Sequence, residues 1–152
     1  MGNYAYDQVN KALMLGIGVN TECDGLRSTA LAACPELARY IGEVNRFRRR
    51  HADLLIRGTF RDTVGARVKG ECLYSVIQGT GRGRALVLRN PHDRPSRVEA
   101  SLPDVKGLRL LLWRPFATER AVRQCPVRLT LRPCEAAVLL ALEAGAVGYR
   151  ES

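Results

Sequence analysis

The sequence predicts a mainly β protein, an antiparallel β-sandwich preceded by two helices. Three observations carry that prediction. Between Leu54 and Leu142, short apolar segments recur with turn residues between them. Within that stretch Val98, Ala100 and Leu102 alternate with Arg97, Glu99 and Ser101, and Val127, Leu129 and Leu131 alternate with Arg128 and Thr130. That period of two marks strands with one buried face. Before residue 50 the apolar spacing is that of a helix instead.

In chain order, Asn3 is placed to cap a first helix in which Tyr6, Val9 and Leu13 share one face, with Asp7 and Lys11 paired at i,i+4 on another. Gly16 and Gly18 end it. Ile17 and Val19 form a very short strand candidate that terminates in Asn20-Thr21-Glu22-Cys23-Asp24-Gly25. Pro35 suits the first turn of a second helix carrying Leu37, Ile41, Val44 and Phe47 along one stripe. Glu36 near its start and Arg46 to Arg50 near its end both complement the helix dipole.

Strands are expected near 54–60, 72–78, 84–89, 96–102, 108–113, 117–123, 127–131 and 136–142. The run Asn90-Pro91-His92-Asp93-Arg94-Pro95 cannot continue a strand, because its prolines remove ladder donors while Asn90 and Asp93 favour turns. Ala136 to Leu142 is apolar throughout, as a central strand buried on both faces would be. Val98, Ala100, Leu102, Val127, Leu129 and Leu131 are expected to line the sandwich core. The chain divides into a helical segment 1–51, a sandwich 52–143 expected to close a core of its own, and a tail 144–152.

Composition limits the function classes. The 152 residues carry a formal charge of +9, nearly all of it arginine spread singly along the strands. The dense run is Arg46-Phe47-Arg48-Arg49-Arg50. Scattered cations with few aromatics describe a solvated surface, so no specific nucleic-acid partner is expected. Five cysteines form no C-x-x-C spacing, and His51 and His92 are the only histidines. Free thiols in a reducing compartment follow, with no metal site and no cofactor. The first twenty residues have neither a basic n-region nor an unbroken apolar h-region, and no apolar run nears the roughly 18 residues of a membrane helix. The expected location is the cytoplasm, with no membrane partner.

The order of these parts is similar to that at the end of a TIM-barrel glycoside hydrolase, where the last barrel helix runs into a C-terminal β-sandwich. Three segments resemble that arrangement. Pro35-Glu36-Leu37-Ala38-Arg39-Tyr40-Ile41 through Asn45-Arg46-Phe47-Arg48-Arg49 resembles the closing helix, with Asp53 to Phe60 as its exit. Arg84 to Asn90 with Asp93 and Pro95 resembles a hairpin of these sandwiches. Leu131-Arg132-Pro133-Cys134-Glu135-Ala136-Ala137-Val138-Leu139 resembles their last strand. The resemblance spans residues 1–143 and leaves the branch of glycoside hydrolases open. It implies that the two helices are the end of a barrel and that a missing barrel portion is a partner.

A complete barrel needs about 250 residues, with catalytic carboxylates at the ends of several strands. This chain has room for one or two such units, so no catalytic residue is assigned and no hydrolysis is expected from it alone. Asn20, Glu22 and Asp24 follow a candidate strand end, where a barrel places groups facing substrate. The ordinary alternative for the two acids is a solvated loop. The Gln78-Gly79-Thr80-Gly81-Arg82-Gly83-Arg84 loop joins two strands rather than opening a helix, so a hairpin is expected rather than a phosphate cradle. His51 has no serine or cysteine at meaningful spacing and reads as a helix-end residue. Trp113-Arg114-Pro115-Phe116 fits an aromatic shelf for a sugar, or core packing with a bend.

Two functions follow. One is the C-terminal, non-catalytic sandwich portion of a glycoside hydrolase, whose helices await a barrel. The other is a free-standing sandwich module that binds carbohydrate or another partner, whose helices must cover the sandwich itself.

Overall fold

The computed structural model describes residues 4–17 and 34–145. The chain is mainly β, with two antiparallel sheets and a layer of helices on one of them. Helix α1 spans Tyr4–Met14, α2 Pro35–Arg50 and the single turn α3 Ala52–Leu55. Nine strands follow: β1 Thr59–Phe60, β2 Arg67–Lys69, β3 Leu73–Gln78, β4 Arg84–Arg89, β5 Ser96–Ser101, β6 Arg109–Trp113, β7 Arg120–Val122, β8 Val127–Leu131 and β9 Ala136–Leu142. The larger sheet has the order β1-β3-β4-β9-β6-β7, and the smaller has the order β2-β5-β8.

The central strands β4 and β9 of the larger sheet are buried on both faces, and this explains their unbroken apolar runs. Toward the smaller sheet it sends Val76, Leu86, Leu88, Leu110, Leu112, Ala137, Leu139 and Ala141, which meet Val98, Ala100, Leu102, Val127 and Leu131. Leu129 is half-buried at the margin of this core. Toward the helices the sheet sends Ile77, Ala85, Val87, Trp113, Ala136, Val138, Leu140 and Leu142, which meet Val9, Leu13, Tyr40, Val44, Phe47, Leu54 and Leu55. Phe47 and Trp113 stack with centroids 4.1 Å apart and planes 6° from parallel.

The helix stripes expected from the sequence therefore have a partner in this chain. Val9, Leu13, Val44 and Phe47 are each at most 4% exposed, all against the larger sheet. Of the two partners expected for these stripes, a missing barrel or the sandwich itself, the structure supplies the second: the sheet's other apolar face needs a cover, and the helices provide it.

Other local differences have equally plain causes. Asp7 does not pair with Lys11. It receives Arg89 Nε at 2.7 Å and Nη2 at 2.6 Å, because α1 lies across β4 and the guanidinium there is nearly enclosed. The strand expected near 54–60 is the helical turn α3 followed by a two-residue strand. Leu54 and Leu55 are both buried, and so short an apolar run suits either structure. Strand β2 had no apolar alternation to reveal it, since only Val68 of its three residues turns inward.

The polar ties are specific. Helix α1 closes with Gly16 N–H bound to the Leu13 carbonyl at 3.2 Å and Ile17 N–H to the Ala12 carbonyl at 3.0 Å, with Gly16 at φ +69°. Ser75 Oγ donates to the Met14 carbonyl, and Arg48 Nη1 donates to the Ile17 carbonyl at 2.7 Å. Asn90 is fully buried in the turn after β4. Its amide donates to the carbonyls of Arg94 at 2.7 Å and Arg132 at 2.9 Å, and its Oδ1 accepts from His92 N–H at 3.0 Å. One side chain thus joins the β4–β5 and β8–β9 turns. Asn10, also fully buried, donates to the Cys134 carbonyl at 2.6 Å and accepts from Tyr40. Burial raises the Tyr40 hydroxyl well above the usual tyrosine range, and the Asn10 bond only partly opposes this.

Candidate binding site

The sequence-based candidates Asn20, Glu22 and Asp24 lie outside the described residues, as do Val19 and Cys23. The functional geometry that the described residues bring together lies at the other end of α2.

There, the α2–α3 junction faces the β3–β4 loop across a cavity of about 290 Å³. Arg49, Arg50, His51, Asp53 and Arg57 line the helical side. Thr80, Gly81 and Glu143 line the other, over an apolar floor that includes Leu54 and Leu142. The loop is a hairpin, closed by Gly79 N–H on the Gly83 carbonyl at 2.8 Å and braced by Gln78 Nε2 on the Gly81 carbonyl at 2.8 Å. Arg82 holds it from outside, donating to the carbonyls of Asp104 at 3.2 Å and Lys106 at 3.1 Å.

Arg82 N–H points inward and donates to Glu143 Oε1 at 3.1 Å. A Cβ on Gly81 would stand 2.5 Å from Glu143 Oε2, so glycine is what lets the carboxylate lie against the loop. The loop is therefore no helix-opening phosphate cradle, yet it does hold an anion.

On the helical wall the charges are mostly committed. Arg50 reaches Glu119 Oε1 at 2.6 Å, and His51 Nε2 lies 3.0 Å from Glu119 Oε2. Burial pushes the Glu119 carboxyl up, but the hydrogen bonds from His51 and Arg50 prevail and hold it below the usual carboxylate range. His51 also meets the Phe47 ring edge-on at 5.3 Å. It fixes the end of α2 to the chain leading into β7. Arg57 pairs with Asp53 one turn earlier. Arg49 is exposed, and among the described residues it makes no ion pair.

The dense basic run is dispersed by the helix. Phe47 and Arg48 turn into the interior, while Arg46 pairs with Glu43 at 3.0 Å and Arg50 with Glu119. The tetrad Trp113–Phe116 is split likewise: Trp113 is core, and Phe116 is exposed at φ +59° with the Arg39 guanidinium 5.2 Å from its ring centre. A shallow depression on the outer face of the smaller sheet carries Lys69, Glu99 and Arg128 in one cross-strand row. Glu99 accepts from Arg128 at 2.8 Å, and that bond, ahead of its other contacts, lowers its carboxyl pKa.

Cys34, Cys72, Cys125 and Cys134 are free and half-buried. Among the described residues no three of His, Cys, Asp or Glu converge as metal ligands, and no helix is long and apolar enough to cross a membrane. Glu143 was not singled out from the sequence, and Arg49 stood out only as a member of the dense basic run. The spaced glycines of 79–83 were the visible signal, but the carboxylate that they accommodate lies sixty residues on, at the end of β9.

No protein-family model matches the chain, and no curated protein matches it.

Proposed function

We propose that this chain is the C-terminal, non-catalytic sandwich portion of a TIM-barrel glycoside hydrolase. The observation that supports this reading is the joint between helix and sandwich. Helix α2 passes through His51 directly into α3, and its end is fixed to the larger sheet by the Phe47–Trp113 stack and to the chain leading into β7 by the His51–Glu119 bond. A closing helix so fixed would hold a sandwich rigidly against whatever precedes it. Asn20, Glu22 and Asp24 are proposed to face substrate in that setting, with the remaining carboxylates supplied by the barrel.

A specific observation favours the second reading, a free-standing carbohydrate-binding or interaction module. The stripes of α1 and α2 are buried by this chain's own sheet, as that reading requires.

An immunoblot of the native source with an antibody against the sandwich separates the two. The hydrolase reading expects a polypeptide longer by roughly 200 residues, the rest of a barrel of about 250. A sole species near 16.8 kDa overturns it and leaves the module. Under both readings the purified chain turns over no aryl glycoside.

A further inference from the structure

We infer that the cavity between the α2–α3 junction and the Gly79–Gly83 loop is a site for a small oxyanion, a carboxylate or phosphate group, with Glu143 as its intramolecular occupant. This stands independently of the hydrolase reading.

The chain itself displays what the loop accepts. A carboxylate lies on the bare face of Gly81 and takes the Arg82 N–H at 3.1 Å. Among the described residues Glu143 forms no ion pair, so its charge is met there by backbone alone. Across the cavity Arg49 is a guanidinium with no carboxylate partner among those residues, whereas Arg50 and Arg57 are engaged by Glu119 and Asp53. An anion is thus held at the loop, and the same cavity of about 290 Å³ is lined by a cation that is uncommitted among the described residues.

Glu143 is exposed and follows the last residue of β9, so its side chain can leave the loop without breaking the β4–β9 ladder. An entering carboxylate or phosphate replaces it charge for charge and gains Arg49 as a charge-assisted donor. The volume lies at the small end of ligand pockets, which suits inorganic phosphate or a single sugar acid rather than a polymer.

The test is titration of the full chain, followed by amide NMR, with inorganic phosphate, glucuronate and neutral glucose. Both anions are expected to shift the Gly81 and Arg82 amides, and glucose is not. Glu143→Ala removes the occupant and should tighten anion binding about tenfold, while Arg49→Ala should weaken it about tenfold, the scale of one charge-assisted hydrogen bond. Gly81→Ala places a methyl where the anion lies and should abolish binding. All three positions are exposed, so the fold is retained. Tighter glucuronate than phosphate assigns the site to a sugar acid, and the reverse assigns it to a phosphate group. Failure of both anions to bind Glu143→Ala, equal binding of glucose, or indifference to Arg49→Ala overturns the site.

Discussion

Arg89 grips the Asp7 carboxylate through two parallel hydrogen bonds of 2.7 Å and 2.6 Å, tying the first helix to the end of a central strand. Both side chains are largely withdrawn from water, so removing one strands the other's charge. Asp7→Ala should therefore cost about 3 kcal/mol or more. Lys11→Ala, on the solvent side of the same helix, should stay within about 0.5 kcal/mol. Urea denaturation of the two variants measures the difference, and equal midpoints would mean that the pair contributes nothing to folding.

The larger sheet has two apolar faces, and each should be indispensable. Leu139→Ala, emptying a site between the sheets that is 1% exposed, should cost about 2–5 kcal/mol. Leu129→Ala, at the half-buried margin, should cost less than Leu139→Ala. Deleting residues 1–50 uncovers Val87, Trp113, Val138 and Leu140 together, and the product should be insoluble or bind hydrophobic dyes. A soluble deletion product with sharp, dispersed amide signals would refute this.

Acid should loosen the end of α2. Because the Glu119 carboxyl is held below its ordinary range, its contribution is complete above the unfolded-state pKa of about 4.3 and is lost as pH falls through the lower folded value. Glu119→Gln should accordingly be less stable than the parent at neutral pH, with the gap closing in acid. Chemical denaturation at neutral and strongly acidic pH gives the answer, and a gap independent of pH would exclude the carboxylate as its source.

Cys72 should be a slow nucleophile. Burial pushes its thiol up to about 11, so at pH 8 almost none is thiolate. Iodoacetamide should label it far more slowly in the folded chain than in denaturant, by peptide mass mapping. Equal rates would contradict its burial.

Much of this architecture was legible because its strands alternate or run apolar. Val98 to Leu102 and Val127 to Leu131 declare a single buried face, and Ala136 to Leu142 declares two. What escaped were features whose cause lies far along the chain. Leu54-Leu55 reads equally as strand or helix until Gly58 N–H is seen to close on the Leu54 carbonyl. Asp7 has a plausible partner four residues away and a better one on β4. The candidate site shows the same limit more sharply. The spaced glycines were visible, but neither the carboxylate resting on them nor the arginine opposite is close to them in sequence. The substrate-facing candidates Asn20, Glu22 and Asp24 lie outside the described residues.

Strand β9 sits between β4 and β6, although it is translated after both. As the chain leaves the ribosome, β1, β3 and β4 can pair, and so can β6 and β7, but the seam between the two groups stays open. Until residues 136–142 emerge, β4 and β6 each present an unpaired backbone edge flanked by apolar side chains. Such edges recruit other strands, including those of neighbouring nascent copies. Synthesis that terminates between Leu131 and Ala136 would therefore release a species with two adhesive edges, and the yield of soluble protein should depend on how quickly residues 136–142 follow.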